Sequence, residues 1–248
     1  MASFKERLII GRQPLIEAIE AGVTIDKILL SKNANGELSA QIRELCKQHQ
    51  IPMQFVPVEK LNSFTRANHQ GVIAFAAMVT YYSLQDVIDF TVNKGETPLF
   101  LMLDGVTDVR NIGAIARTAL CCGVQAIIIP DKGVGALNEE AMKSSAGALE
   151  HIKICRVGSL MKAIDEMHLN GIKVFASEMK ATTKLANIEF ATPCCVVMGG
   201  EEKGVYAPLM KICDEVFYIP MQTKFESLNV SVAAGMILYE AMTQRETV

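Results

Sequence analysis

The sequence lacks tryptophan, and its aromatic residues make up only 6% of 248 residues. So few rings argue against a recognition surface built from many stacked aromatic side chains. No apolar run approaches the roughly 20 residues of a membrane-spanning helix. The segment MASFKERLIIGRQP contains no apolar core of signal-peptide length. We therefore expect a cytoplasmic protein that does not contact a membrane.

Metal-type spacings of cysteine and histidine are missing as well. The seven cysteines include no Cys-x-x-Cys pair, and the four histidines lie in no metal-like spacing. An odd number of cysteines does not favour a disulfide framework. We predict no metal site, and buried, reduced thiols.

Strong positive charge is also absent, since 24 basic and 27 acidic residues give a net charge of −3. This argues against a protein coated with positive charge. Residues 1–78 nevertheless carry nine basic and seven acidic side chains, residues 79–97 one and three, and residues 98–248 14 and 17. Only the first segment is positive. Its excess is small, so any phosphate binding there must depend on where the side chains lie.

Half of the residues are hydrophobic, which supports a substantial core and excludes disordered and collagen-like classes. Residues 1–78 alternate helix-like and strand-like segments and predict a small α/β/α domain. Residues 79–97 predict a linker, because acidic residues, Gly95 and Pro98 interrupt the pattern. In residues 98–248, continuous apolar strands alternate with helices, which predicts a mostly parallel sheet covered on both faces.

The segment LDGVTDVRNIGAIARTA follows the first of these apolar strands. It places Asn111 at a predicted helix N-cap and Arg117 nearly two turns later, so both can approach one side of the helix. The alternative interpretation of the pair is a capping asparagine and a surface arginine.

The segment VVMGGEEKGV follows another apolar strand. Gly199, Gly200 and Gly204 permit tight turns and close approach of a ligand to the backbone. Glu201 would then lie at the carboxyl end of a strand, where open α/β sheets bind ligands. An ordinary strand-to-helix loop also uses glycine, so this segment alone is a weak signal.

A third segment, YIPMQTKFESLNVSVAAGMILYEAM, leads from a strand through a polar loop into the last helix. Ser227 and Asn229 are good helix caps, which is the structural alternative to a functional role. Ala233, Ala234 and Gly235 leave little side chain on one stretch of this helix. Another backbone can therefore pack closely against it.

These three segments together carry a family resemblance. NIGAIAR (111–117), GGEEKG (199–204) and IPMQTKFESLNVSVA (219–233) resemble the three motifs of SpoU-type RNA ribose 2′-O-methyltransferases of the SPOUT superfamily. IIGRQPLIEAIEAG (9–22) and NHQGVIA (68–74) are similar to that family's small N-terminal RNA-binding domain, which is ribosomal-protein-like. SLNVSVA is the most specific element, and the resemblance spans nearly the whole chain.

The resemblance implies a fold, a cofactor and a set of site residues. It implies a C-terminal α/β domain with a deep trefoil knot, S-adenosylmethionine bound in the knot loops, and a homodimer whose active site uses both subunits. By motif position, the catalytic residues would be Asn111, Arg117, Glu201, Ser227 and Asn229. The cofactor-binding residues would be Gly199, Gly200, Gly204, Ile219, Met221 and Leu228.

The implied reaction is methyl transfer to a ribose 2′-hydroxyl of RNA, which requires no metal. A guanosine of 23S rRNA is the first choice of substrate, and a tRNA ribose is the second. Arg12 and Arg66 are predicted RNA contacts in the N-terminal domain. A guanidinium with a pKa above about 12 is a poor base. We therefore expect Arg117 to bind the adjacent phosphate and to stabilise the developing alkoxide.

Two positions depart from the family pattern, in which glycine is usual at Thr223 and frequent at Glu202. A β-branched residue tolerates positive φ poorly, so the loop at Thr223 must follow a more ordinary backbone path. These departures motivate a second hypothesis, a non-catalytic RNA-binding module of the same fold. A third, a Rossmann-type nucleotide enzyme, rests on Gly133 and Gly135, but Asn138 stands where the fingerprint needs its third glycine.

Overall fold

The chain divides into two compact units, Met1–Thr80 and Tyr81–Val248. The computed structural model describes residues 8–34, 36–49, 51–201, 203–222 and 227–246. Within those ranges, each helix is too short or too polar to cross a membrane.

The first unit is a four-stranded sheet with helices on both faces. In chain order it contains β1 (Leu8–Ile10), α1 (Arg12–Glu20), β2 (Ile25–Ser31), α2 (Glu37–Gln48), β3 (Met53–Val56), α3 (Val58–Phe64) and β4 (Val72–Ala76). The strand order is β1-β4-β2-β3, with β2 and β3 parallel and β4 antiparallel to both of its neighbours.

Alternation along β2 explains the two layers of apolar packing in this unit. Ile28 and Leu30 point into a core that includes Leu15 of α1, whereas Leu29 points to the opposite face and packs with Leu61 of α3. Successive side chains of a strand face opposite sides of the sheet, so one strand supplies both layers. The predicted α/β/α domain is confirmed.

The second unit is built on an eight-stranded parallel sheet. Its elements in chain order are β5 (Tyr81–Tyr82), α4 (Leu84–Asn93), β6 (Leu99–Asp104), α5 (Val109–Cys121), β7 (Ala126–Pro130), α6 (Glu139–Ser144), β8 (Lys153–Val157), α7 (Leu160–Leu169), β9 (Lys173–Ser177), β10 (Thr183–Lys184), β11 (Cys194–Gly199), α8 (Ala207–Met210), β12 (Glu215–Tyr218) and α9 (Val230–Glu246).

The strand order of this sheet is β10-β12-β9-β11-β6-β7-β8-β5, and neighbouring strands pair in parallel. From β6 the chain moves outward through β7 and β8, then crosses to β9 and later inserts β11 next to β6. The direction of strand addition therefore reverses at β6 and β11, which is where open α/β sheets bind ligands. The predicted parallel α/β class is confirmed, and the trefoil knot stays a prediction.

Both faces of the parallel sheet are buried. Val174 and Ala176 of β9 share a core with residues of α4, α7 and α8. Phe175 points the other way and contacts the ring of Phe190 edge-to-face, with the centroids 5.8 Å apart. Burial on both faces explains why these strands read as continuous apolar runs in the sequence.

Residues 79–97 do not form the predicted linker, because the second unit begins at Tyr81 and contains β5 and α4. Ser83 caps α4, and its Oγ accepts a hydrogen bond from the backbone N–H of Asp86 over 3.4 Å. Val87 and Ile88 are buried in the core. The acidic residues that suggested a connector lie on the exposed face of an amphipathic helix.

The seven cysteines are free. As predicted, Cys46, Cys155, Cys194 and Cys195 are buried. Burial raises the pKa of the Cys46 thiol to about 11 and that of the Cys155 thiol to about 12. Cys121 differs from the prediction, because it lies exposed at the last turn of α5.

Candidate active site

Three polar side chains from distant parts of the sequence form a hydrogen-bonded cluster in the second unit. Asn229 Nδ2 donates to Glu201 Oε1 over 2.8 Å and to Asn111 Oδ1 over 3.2 Å. Asn111 Nδ2 donates to the same Glu201 oxygen over 3.1 Å. Two amides thus bind one carboxylate oxygen and fix its position, since hydrogen bonds to a charged acceptor are strong.

The parallel sheet brings the members of this cluster together. Asn111 lies in the first turn of α5, which follows β6, and Glu201 is the second residue after β11. β6 and β11 are paired neighbours at the reversal point of the sheet. Asn229 immediately precedes α9. Three of the five residues predicted as catalytic therefore meet at one sheet edge, and their catalytic roles stay predictions.

Helix α5 begins earlier than the sequence predicted, so Asn111 is not its N-cap. Asp108 is the cap, with Oδ1 accepting from the backbone N–H of Arg110 over 2.8 Å. Hydrogen bonds from the Arg110 side chain also lower the pKa of Asp108. Because another residue caps the helix, the amide of Asn111 is available to Glu201.

Asn229 has two functions at opposite ends of its amide. Its Oδ1 accepts from the backbone N–H of Ser231 over 2.9 Å, and its backbone oxygen accepts from Ala233 N–H over 2.9 Å. These bonds cap α9. Its Nδ2 meanwhile donates to Glu201. The predicted cap and the contact with the carboxylate therefore coexist in one residue.

The structure does not bring Arg117 into the cluster. Its side chain is exposed on α5 and pairs with no residue in the described part of the chain. An α-helix turns about 100° per residue, so six residues place Arg117 about 120° around the axis from Asn111. By this geometry Asn111 and Arg117 do not share one face of α5, and the catalytic role of Arg117 stays a prediction.

A cavity of about 320 Å³ adjoins the cluster. It is lined by the six residues predicted to bind the cofactor, which are Gly199, Gly200, Gly204, Ile219, Met221 and Leu228. Glu201 and Ser227 line the same cavity. Two of the predicted catalytic residues thus border the cavity lined by the residues that the family resemblance assigns to the cofactor.

Glycine is required where β11 ends at this cavity. A side-chain carbon on Gly199 would collide with the backbone of Gly204, and one on Gly200 would collide with the carbonyl oxygen of Gly105. Gly204 has a φ of 63°, which L-residues with side chains rarely adopt. The close approach of the backbone at Gly199 and Gly200 and the positive φ of Gly204 therefore explain these glycines without a ligand. Glu202 and Thr223, the two departures from the family pattern, lie outside the described residues.

A larger cavity, of about 720 Å³, shares part of its wall with the smaller one. Glu178, Glu201 and Lys203 line both cavities. Asn111 lines the larger one. Glu201, which the amides of Asn111 and Asn229 hold, therefore lies at the boundary between the two cavities.

The sequence reasoning missed Asp104, Glu178 and Tyr206 among the residues that line the larger cavity. Glu178 directly follows β9 and Glu201 is the second residue after β11, so the same strand-end reasoning would have found Glu178. Asp104 ends β6, and its Oδ2 accepts from the backbone N–H of Tyr206 over 2.7 Å. No sequence motif indicated Tyr206; only the scarcity of aromatic residues in the chain made it notable.

The segment with the glycines that suggested a Rossmann-type enzyme has a structural role. Asn138 caps α6, with its Oδ1 accepting from the backbone N–H groups of Glu140 and Ala141 over 3.0 and 3.1 Å. A side-chain carbon on Gly135 would collide with the carbonyl oxygen of Thr107. This segment thus packs against the loop after β6 and does not form a dinucleotide fingerprint.

The predicted RNA contacts Arg12 and Arg66 lie in the first unit. Arg12 Nε donates to the carbonyl oxygen of Gln70 over 2.9 Å, which ties α1 to the loop before β4. Arg66 is exposed. Their contacts with RNA stay predictions.

Among the residues described, no group of three or more His, Cys, Asp or Glu side chains is arranged to hold a metal ion.

Family models match both units of the chain. The SpoU rRNA Methylase family model matches residues 98–239. The model for RNA 2'-O ribose methyltransferase substrate binding matches residues 8–82.

Similar proteins agree with these matches. YacO of Bacillus subtilis, named for the TrmH family of tRNA/rRNA methyltransferases, is 35% identical over 240 residues, covering 97% of this chain and 96% of its own. The SpoU methyltransferase AviRb from Streptomyces viridochromogenes, solved in complex with AdoMet, aligns with a TM-score of 0.63 at 23% identity, covering 97% of this chain and 91% of its own. An AdoMet-bound rRNA methyltransferase from Sinorhizobium meliloti gives a TM-score of 0.61 at 23% identity over 95% and 86%.

Proposed function

Because the chain belongs to the SpoU rRNA methylase family, we propose that it transfers a methyl group from S-adenosylmethionine to a ribose 2′-hydroxyl of RNA. The observation that carries this proposal is the wall shared by the two cavities, where Asn111 and Asn229 hold Glu201. A methyl donor in the smaller cavity and a nucleotide in the larger one would face each other across that wall.

The smaller cavity suits S-adenosylmethionine. Ile219, Met221 and Leu228 supply apolar side chains for an adenine ring, and the glycine backbone at Gly199 lets a ligand approach closely. Its volume of about 320 Å³ falls within the range of small-molecule pockets, ~300–1,000 Å³. When bound, the cofactor supplies an electrophilic methyl group on a sulfonium, so the chain needs to position the acceptor and exclude water.

Glu201 would orient the ribose. Its Oε1 is bound by two amides, while its Oε2 accepts no hydrogen bond from any residue that the structure describes. That second oxygen is available to accept a hydrogen bond from a ribose hydroxyl. Such positioning can lower a reaction barrier by several kcal/mol, up to ~7–11 in ideal intramolecular cases. Ser227 adds a hydroxyl at the edge of the cofactor cavity.

Arg117 would act from a second copy of the chain. It lies about 120° around α5 from Asn111, and its exposed guanidinium suits a phosphate next to the target ribose. There it would stabilise the developing alkoxide rather than remove a proton. An active site that uses both subunits of a homodimer reconciles this role with the separation of Arg117 from Asn111.

Helix α9 offers the surface for this homodimer. Val232, Met236 and Tyr239 are 48, 46 and 61% exposed. Their spacing of four and three residues places them along one face of the helix. An exposed apolar stripe of this kind marks an interaction surface. We propose a second copy of this chain as its partner.

The proposed substrate is ribosomal RNA, first a guanosine of 23S rRNA and second a tRNA ribose. The unit that matches the substrate-binding model is also the positively charged part of the chain. The solved rRNA methyltransferase from Sinorhizobium meliloti covers 95% of this chain, so its fold includes a counterpart of that unit. The enzyme would act in the cytoplasm, where ribosomal RNA is located.

The substrate is tested by mapping 2′-O-methyl groups in rRNA and tRNA from a strain that lacks the gene. We expect one 23S rRNA guanosine to lose its methyl group and to regain it when the wild-type gene is restored. A variant with Glu201→Gln, which removes the carboxylate, should fail to restore it. Unchanged rRNA together with a lost tRNA site would support the second candidate, and unchanged maps of both RNAs would contradict the proposal.

A further inference from the structure

The charges of the side chains that line the larger cavity determine which part of a nucleotide it can hold. Among the described residues that line it, four carry carboxylates, namely Asp104, Asp108, Glu178 and Glu201, and one, Lys203, carries a positive charge. A phosphate in this space would face mostly negative charge, whereas a neutral nucleobase would not. A volume of about 720 Å³ is ample for a nucleoside. The chemistry of the wall therefore favours a base over a phosphodiester.

Tyr206 gives this cavity a flat apolar surface. It is the one aromatic residue among the described residues that line the cavity, and 61% of it is exposed. Its backbone is fixed on both sides. The N–H donates to Asp104 Oδ2 over 2.7 Å, and the carbonyl oxygen accepts from Leu209 N–H over 2.8 Å as α8 begins. An exposed ring on an anchored backbone is pre-organised for a planar ligand.

We propose that Tyr206 stacks on the base of the nucleotide that is methylated, an inference that rests on the proposed function. For its 2′-hydroxyl to reach the wall at Glu201, that nucleotide must leave its RNA stack, and its base loses its stacking partners. Unstacked RNA bases are commonly held on aromatic side chains. In a chain with so few aromatic residues, this ring lies where a displaced base would enter. Tyr206 is thus a substrate-positioning residue that does not touch the cofactor.

The test compares Tyr206→Ala, Tyr206→Phe and Tyr82→Ala in steady-state methylation of rRNA from a strain lacking the gene. Tyr82 is the matched control, because it is 42% exposed but lines neither described cavity. Base–aromatic stacking contributes ~1–3 kcal/mol. We therefore expect Tyr206→Ala to lower kcat/KM for RNA by about 5- to 150-fold, at 1.4 kcal/mol per tenfold change. Tyr206→Phe and Tyr82→Ala should stay within about twofold of the wild type.

A second measurement, calorimetric binding of S-adenosylmethionine, separates stacking from a disturbed fold. The affinity should be unchanged in all three variants. Wild-type kinetics in Tyr206→Ala, a loss in Tyr206→Phe as large as that in Tyr206→Ala, or weakened S-adenosylmethionine binding in Tyr206→Ala would each overturn the stacking role. A wild-type protein that neither binds S-adenosylmethionine nor methylates RNA would overturn the proposed function, and this inference with it.

Discussion

Asn111 and Asn229 both donate to Glu201 Oε1, but only Asn229 also caps a helix. Comparing the two residues therefore separates the effect of a mutation on catalysis from its effect on folding stability. A hydrogen bond to a charged group contributes ~1.5–3 kcal/mol, whereas a helix cap contributes ~1 kcal/mol to folding. Single substitutions at the two asparagines therefore measure the contributions to catalysis and to stability independently.

We expect Asn111→Ala to lower the single-turnover rate of RNA methylation by about 10- to 150-fold. Its free energy of unfolding in urea should stay within ~0.5 kcal/mol of the wild type, because the side chain caps no helix and its hydrogen bonds are exposed to water, which replaces them. Asn229→Ala should lose a similar factor in rate and, in addition, ~1 kcal/mol of stability. Two variants of equal stability would contradict the capping role of Asn229.

The backbone of Gly199 lies so close to that of Gly204 that an added Cβ would collide with it. We expect Gly199→Ala to destabilise the protein by ~1–3 kcal/mol, as overpacking does. It should also weaken S-adenosylmethionine binding, because both glycines line the smaller cavity. Gly158→Ala is the control, since a Cβ there meets nothing within 4 Å. Urea unfolding and calorimetry measure both effects, and wild-type stability in Gly199→Ala would contradict the close contact.

The sequence predicted the chemically active residues better than their surroundings. Asn111, Glu201 and Asn229 follow separate strands, and a parallel sheet brings strand ends to one edge, so their proximity follows from the motif order. Tyr206 and Glu178 line a cavity whose walls come from several distant segments. No local pattern marks Tyr206, whereas Glu178 directly follows β9 and has a strand-end signal in the sequence. For Asn111 and Arg117, a separation of nearly two helical turns suggested a shared face, but six residues correspond to about 120° around the helix axis.

Among the secondary-structure elements, segments with a clear apolar pattern were predicted well and an acidic one was not. The apolar pattern predicts a strand over residues 53–56 and a helix over residues 58–64, and β3 and α3 have these bounds. The sequence analysis predicted a linker in place of helix α4 because of its acidic residues, although its apolar residues recur at helical spacing. The alternation of helices and strands predicts a helix over residues 139–148. Helix α6 instead ends at Ser144, because Ala146 and Gly147 adopt positive φ values of 49° and 90°.

Helix α9 buries one side, which includes Ile237 and Leu238, and exposes a second apolar stripe of Val232, Met236 and Tyr239. We expect Met236→Glu to convert the proposed dimer into a monomer, because the introduced carboxylates would be buried without partners. Analytical ultracentrifugation measures the change.

The control for this variant is Leu169→Glu, which also replaces an exposed apolar residue but lies at the end of α7, 87% exposed. It should leave the oligomeric state unchanged. A wild-type protein that sediments as a monomer, or a Met236→Glu variant that remains a dimer, would contradict the role of this stripe.

At the scale of the whole molecule, the two units divide the work that the proposed function requires. The first unit carries the excess positive charge and matches a substrate-binding family, and the second contains the cluster and its two cavities. The sequence predicted this division through its motifs and its charge distribution. It misplaced the boundary, because β5 and α4 join the second unit only through contacts with β8 and the core, which are distant in sequence.

The central claim is that the chain methylates a ribose oxygen, and alkaline hydrolysis tests it most directly. Alkali cleaves RNA through attack by the ribose 2′-hydroxyl, so a methyl group on that oxygen protects the adjacent phosphodiester bond. Unmethylated rRNA would be incubated with the wild-type protein and S-adenosylmethionine labelled with tritium in its methyl group. The proposed function predicts that the label is recovered in alkali-stable dinucleotides, and label in mononucleotides, which indicates methylation of a base, would contradict it.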